Sequence, residues 1–207
     1  LEQLRKAVEL PAEDSAARQE KAEALNTLAE VAMQLGEESE VLPALEQSIA
    51  LKKESGDRFG LAISYGTLGR FHLFRPSRSK DDLEKAISAF EEDLRISLEI
   101  GDTSGQITMN SLLGLCYLES GDAQKALAFS KQSHDAAAAL GQKRNAAFAM
   151  CGMVRAMAAS GAADFQGELD GLHKFVATLG EHDREALKQA MEKVQEACDA
   201  VGVQFSV

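Results

Sequence analysis

The sequence predicts an all-α fold, an α-solenoid of stacked antiparallel helix pairs closed by a C-terminal capping helix, and three observations carry that reading. The composition is rich in strong helix formers, with only 3 prolines and no tryptophan in 207 residues. The chain is self-similar at a period near 40 residues, the range of repeat architectures. Within each period an apolar stripe at helical spacing is broken by a short polar turn and then resumes.

The period is legible in two columns. Gly56-Asp57, Gly101-Asp102, Gly141-Gln142 and Gly180-Glu181 each close an apolar segment, at intervals of 45, 40 and 39 residues. About 28 residues before each stand Leu28, Leu68, Leu113 and Met153, at intervals of 40, 45 and 40. Both columns assign five extra residues to the second unit, and these fall between its helices, in the stretch Arg75–Asp82. The units are residues 15–57, 58–102 with the insertion at 75–82, 103–142, and a degenerate 143–181.

Each unit reads as helix, turn, helix. Gly36, Pro76, Gly121 and Gly161 share the turn column between the two helices. Ser79 with Asp82 three residues on has the pattern of a capping box and predicts a helix start beside the insertion. Pro43 falls near the start of the first unit's second helix, and Ser39 is its expected N-cap, so the proline removes only the first intrahelical bond. Residues 1–14 match the second helix of a unit, which makes them the expected remnant of a repeat whose first helix lies outside this sequence, as in a piece of a larger protein. Residues 182–207 form the expected capping helix and tail, with Leu187, Met191, Val194 and Cys198 on one apolar stripe.

Leu113-Gly114 with Tyr117, Gly121 and Ala126, and Leu68-Gly69 with Ala86 and Phe90, resemble the small and large packing positions of tetratricopeptide repeats. The long period and the Gly-Asp ending are similar to the variant found in kinesin light chains, Pins-type polarity adaptors and bacterial signalling regulators. The first unit departs from the pattern at Ala29 and Val41, and the fourth at Val154 and Gln166, where Gly167 and Gly171 also interrupt the second helix. The resemblance implies a right-handed superhelix whose first helices line a concave groove. Carried over position by position, that groove displays Glu23, Asn26, Glu30 and Met33, then Ile63, Gly66, Arg70 and Leu73. Thr108, Ser111, Leu115 and Leu118 follow in the third unit, and Phe148, Cys151, Arg155 and Ala158 in the fourth. Family members that clamp a chaperone's terminal carboxylate do so with Lys and Asn, but Asn26 and Glu30 stand at those positions, which disfavours that partner.

Chemistry is sparse. No phosphate-cradling loop, zinc-protease motif or nucleophile elbow occurs. Ser133-His134-Asp135 has the letters of a hydrolase triad, yet consecutive helical residues point about 100° apart and cannot form a relay. His72 shares the column of Tyr117 and reads as a packed histidine. Cys116, Cys151 and Cys198 are odd in number and far apart, fitting reduced, buried thiols of a cytoplasmic protein. Neither a cofactor nor a metal is expected, and the chain does not read as an enzyme.

Net charge is −11, from 22 basic and 33 acidic side chains, which disfavours direct nucleic-acid binding. The charge is concentrated in residues 1–57, with 6 basic and 13 acidic groups, whereas Arg75, Arg78 and Lys80 make the insertion a basic candidate contact loop. No membrane-spanning run is present. The expected function is a protein-interaction scaffold or adaptor that holds a partner's peptide or helix, with self-association as a variant. The alternative is a ligand- or peptide-sensing domain that regulates a linked catalytic or DNA-binding domain.

Overall fold

The computed structural model describes residues 1–9, 11, 13–76, 78–203 and 205. Leu10 and Ala12 of the expected first segment, Ser77 of the insertion, and Gln204, Ser206 and Val207 of the tail lie outside the described residues. Ten α-helices and no strand are found among the described residues, and within each unit the helices pack against neighbouring helices. They divide into two units, Leu1–Asp102 and Thr103–Val207.

The first unit holds α1 (Glu2–Glu9), α2 (Ser15–Leu35), α3 (Glu38–Ser55), α4 (Arg58–Phe74) and α5 (Lys80–Ile100). The second holds α6 (Thr103–Ser120), α7 (Ala123–Ala139), α8 (Lys143–Ser160), α9 (Phe165–Ala177) and α10 (Glu181–Ala200). The Gly-Asp dipeptide explains why one helix stops and the next begins within two residues. Gly56 takes φ +73°, and the N–H groups of Gly56 and Asp57 close α3 on the carbonyls of Lys53 and Lys52. The Asp57 carboxylate then accepts from Gly60 N at 2.8 Å and caps α4. Gly121-Asp122 repeats the device, with Asp122 accepting from Lys125 N at 3.0 Å.

The fourth unit departs from it. Gly180 does not close a helix in the left-handed region; it is the extended N-cap of α10, at φ −67° and ψ 162°. Its α9, only 13 residues long, ends at Ala177, and α10 packs on α8. The expected cap at Ser39 is also corrected. The α3 helix starts at Glu38 after Glu37, so Ser39 lies inside it and Pro43 sits in its second turn. The capping box at Ser79 and Asp82 is present, and it draws Lys80, Asp81 and Asp82 out of the expected insertion into the first turn of α5.

Small residues set the helix spacing. A Cβ on Gly69 would lie 2.4 Å from the ring of Phe90, which is fully buried, so α4 and α5 meet at van der Waals contact there. In the second unit Ser130 of α7 fills the space left by two glycines, Gly114 of α6 and Gly152 of α8. A hydroxyl also staples each of two pairs: Ser48 Oγ donates to the Ala22 carbonyl at 2.7 Å, and Ser133 Oγ to the Ile107 carbonyl at 2.8 Å. The cores are Leu25, Leu28, Val41, Leu45 and Phe71 in the first unit, and Val154, Leu169, Leu172, Leu187 and Val194 in the second. No described helix is long and apolar enough to cross a membrane.

Candidate binding surfaces of the two units

In the first unit the predicted groove positions separate into a polar network and an exposed stripe. Asn26, only 6 % exposed, donates from Nδ2 to Glu30 Oε1 at 3.0 Å, and Thr67 Oγ1 donates to the same oxygen at 3.2 Å. Behind them Ser64 Oγ donates to Asn26 Oδ1 at 3.0 Å, and Lys52 Nζ donates to Ser64 Oγ at 2.9 Å. Lys52 is buried, and burial pulls its ammonium below the usual lysine range against the opposing pull of Asp57, Glu23 and Glu30. The exposed Glu30 carboxylate is thus oriented from inside the helix pair. Met33 is half-buried against the same core.

The stripe belongs to α4. Phe59, Ile63 and Phe74 are 56 %, 43 % and 59 % exposed, and Arg70 is exposed with no ion pair or hydrogen bond among the described residues. At about 100° per residue these four side chains fall within an arc of about 60°. Leu73 lies about 100° from Phe74 around the helix and is buried, so of these two neighbours it is Phe74 that meets solvent. Phe59 and Phe74 escaped the sequence reading. Their spacing of four residues before Ile63 and four after Arg70 was the available signal.

The basic loop is largely tied down. Arg75 donates to Glu38 at 2.7 Å and to Asp82 at 3.3 Å, and its guanidinium lies 5.1 Å from the Phe71 ring centre. Arg78 donates to the Leu73 carbonyl at 2.9 Å. Lys80 is exposed in the first turn of α5.

In the second unit, Phe148 on α8 is 37 % exposed, and Arg155, seven residues on, is half-buried with no ion pair among the described residues. Cys151 and Ala158 face the core instead. The Cys151 thiol lies 3.7 Å from Met191 Sδ, and burial pushes it up to about 12 despite the opposing charge of Arg155. On α6 Thr108 is exposed, and Leu115 and Leu118 are half-buried. Ser111 Oγ is hydrogen-bonded to Ser133 Oγ at 2.8 Å. Ser133 is therefore committed to structure and fully buried, while His134 Nδ1 contacts Asp135 at 3.2 Å. His72 is buried against Asp82.

A cleft of about 370 Å³ opens between α9 and α10, with Val176 and Met191 against His173, Arg184 and Lys188. Nothing in the sequence pattern marked it. No group of three or more His, Cys, Asp or Glu side chains placed to hold a metal ion is found among the described residues. No protein-family model matches the chain, and no curated protein matches it either.

Proposed function

We propose that this chain is a protein-interaction module, a tetratricopeptide-like α-solenoid of a scaffold or adaptor that holds a partner's peptide or helix. The observation that carries the reading is a repeated pair. Ile63 with Arg70 on α4, and Phe148 with Arg155 on α8, place an exposed apolar side chain seven residues before an arginine that makes no ion pair among the described residues. Five of the other arginines are bonded to carboxylates, namely Arg5, Arg58, Arg75, Arg95 and Arg144. In a chain of net charge −11, two arginines left without acids at equivalent repeat positions fit a ligand that brings its own carboxylates beside apolar side chains. The reading includes a cytoplasmic location and no enzymatic activity.

Affinity capture followed by Arg70→Glu and Arg155→Glu tests it. A captured partner is expected to lose at least tenfold in affinity for the double variant, and unchanged affinity refutes the surface. The second reading, a ligand-sensing regulatory domain, draws support from the cleft between α9 and α10. It requires a ligand-dependent change in small-angle scattering, and identical profiles across candidate ligands count against it.

A further inference from the structure

Eight residues before the glycines that close the first three helix pairs, Gly56, Gly101 and Gly141, stand three buried polar residues: Ser48, Asp93 and Ser133. The two serines do the same work. Ser48 donates to the carbonyl of Ala22 and Ser133 to that of Ile107, and each acceptor lies six residues before the packing leucine of its unit, Leu28 or Leu113. The equivalent acceptor in the second pair is the carbonyl of Ala62, six residues before Leu68. A hydroxyl can donate to a helical carbonyl. An ionised carboxylate has only acceptors and cannot.

Asp93 is 5 % exposed, and the donor that serves it is Ser97, whose Oγ lies 3.0 Å from Oδ1. Among the described residues no cation pairs with it. On α4, which packs against it, Arg58 is bonded to Glu99, His72 to Asp82, and Arg70 is exposed. On α5 itself Arg95 is bonded to Glu92 and Glu99, and the nearby Asp102 adds a second negative charge.

We infer that Asp93 is carried as the neutral acid in the folded first unit and donates its Oδ2 proton to the Ala62 carbonyl, making the α4–α5 pair a joint that holds tightest in acid. Ionisation replaces that donor with a buried anion facing a carbonyl and loosens the pair that presents Ile63 and Arg70. Burial, aided by Asp102, pushes the carboxyl up to about 6, consistent with this arrangement. The folded state then binds more protons than the unfolded chain between about pH 4 and 6, so stability falls as pH rises through that window and is flat in this respect above it.

The test uses the full chain and its Asp93→Ser and Asp93→Asn variants, both neutral and both able to donate. Urea midpoints at pH 7.5 are expected to rise in both variants, with little or no rise at pH 4.2, where the wild-type carboxyl is protonated. Carbon-detected NMR of the wild type is expected to show the Asp93 carboxyl titrating near pH 6, with the Ala62 carbonyl shift following the same midpoint. An Asp93 midpoint near 4, or equal variant effects at both pH values, overturns the inference. An Ala62 carbonyl that does not titrate with Asp93 overturns the donor assignment.

Discussion

His72 Nδ1 lies 2.9 Å from Asp82 Oδ1 in a corner where the two side chains are 7 % and 10 % exposed. The other carboxylate oxygen accepts from the Ser79 backbone N–H at 3.0 Å and the Ser79 hydroxyl at 2.8 Å. Ser79 foremost, with His72 and then Arg75, holds the Asp82 carboxyl well below the usual carboxylate range. One side chain therefore begins α5, fixes the last turn of α4 and anchors the inserted loop. Replacing Asp82 with Ala is expected to cost about 1–3 kcal/mol at neutral pH. The sign in acid follows from the depressed value: the contribution is complete above about pH 4 and is lost as pH falls, so wild type and variant converge in urea unfolding at low pH.

Gly69→Ala and Gly171→Ala are expected to move stability in opposite directions. The new methyl at 69 meets the fully buried Phe90 ring at 2.4 Å, and overpacking of this kind costs about 1–3 kcal/mol. At 171 the nearest atom is the flexible end of Met150 at 3.8 Å, so the helix propensity of alanine prevails and α9 gains about 0.5–1 kcal/mol. Urea midpoints of the two variants check both signs.

The three cysteines are buried, and Cys151 is the one pushed up to about 12. At pH 8 its thiolate fraction is roughly a thousandfold below that of an ordinary cysteine. Modification by a thiol reagent under native conditions is therefore expected to be slow at Cys151 and to proceed at ordinary rates once the chain is unfolded. Mass spectrometry of timed samples reads the site directly.

Neighbouring residues at the end of α4 are expected to respond differently to the same change. Phe74→Ser, at an exposed position, shifts stability by about 0.5 kcal/mol or less. Leu73→Ser empties a buried site and adds a hydroxyl to it, for a loss of about 3 kcal/mol or more. Thermal unfolding of the pair checks the rotational register of α4, on which the exposed stripe depends.

Much of the fold was legible because it rests on local chemistry. Left-handed turns need glycine, Asp57 and Asp122 cap the helices that follow them, and Ser79 with Asp82 forms the box its spacing predicts. Gly69 and Gly114 were read as close-packing positions and are so placed. What escaped depended on rotation and on partners distant in sequence. Leu73 was assigned to a binding face by repeat position alone, and a shift of one residue turns it into the core and Phe74 out. Gly180 looked like its counterparts, but its helix ends three residues earlier, so it caps α10 instead. The engagement of Arg75 with Glu38, 37 residues away, had no local signature at all.

Ser130, lodged against Gly114 on one side and Gly152 on the other, brings α6, α7 and α8 together at one point. A cut drawn at the sequence repeat boundary, after Gln142, leaves Ser130 with half its socket. The period that the sequence displays is thus two helices long, whereas the contact made by this one side chain spans three.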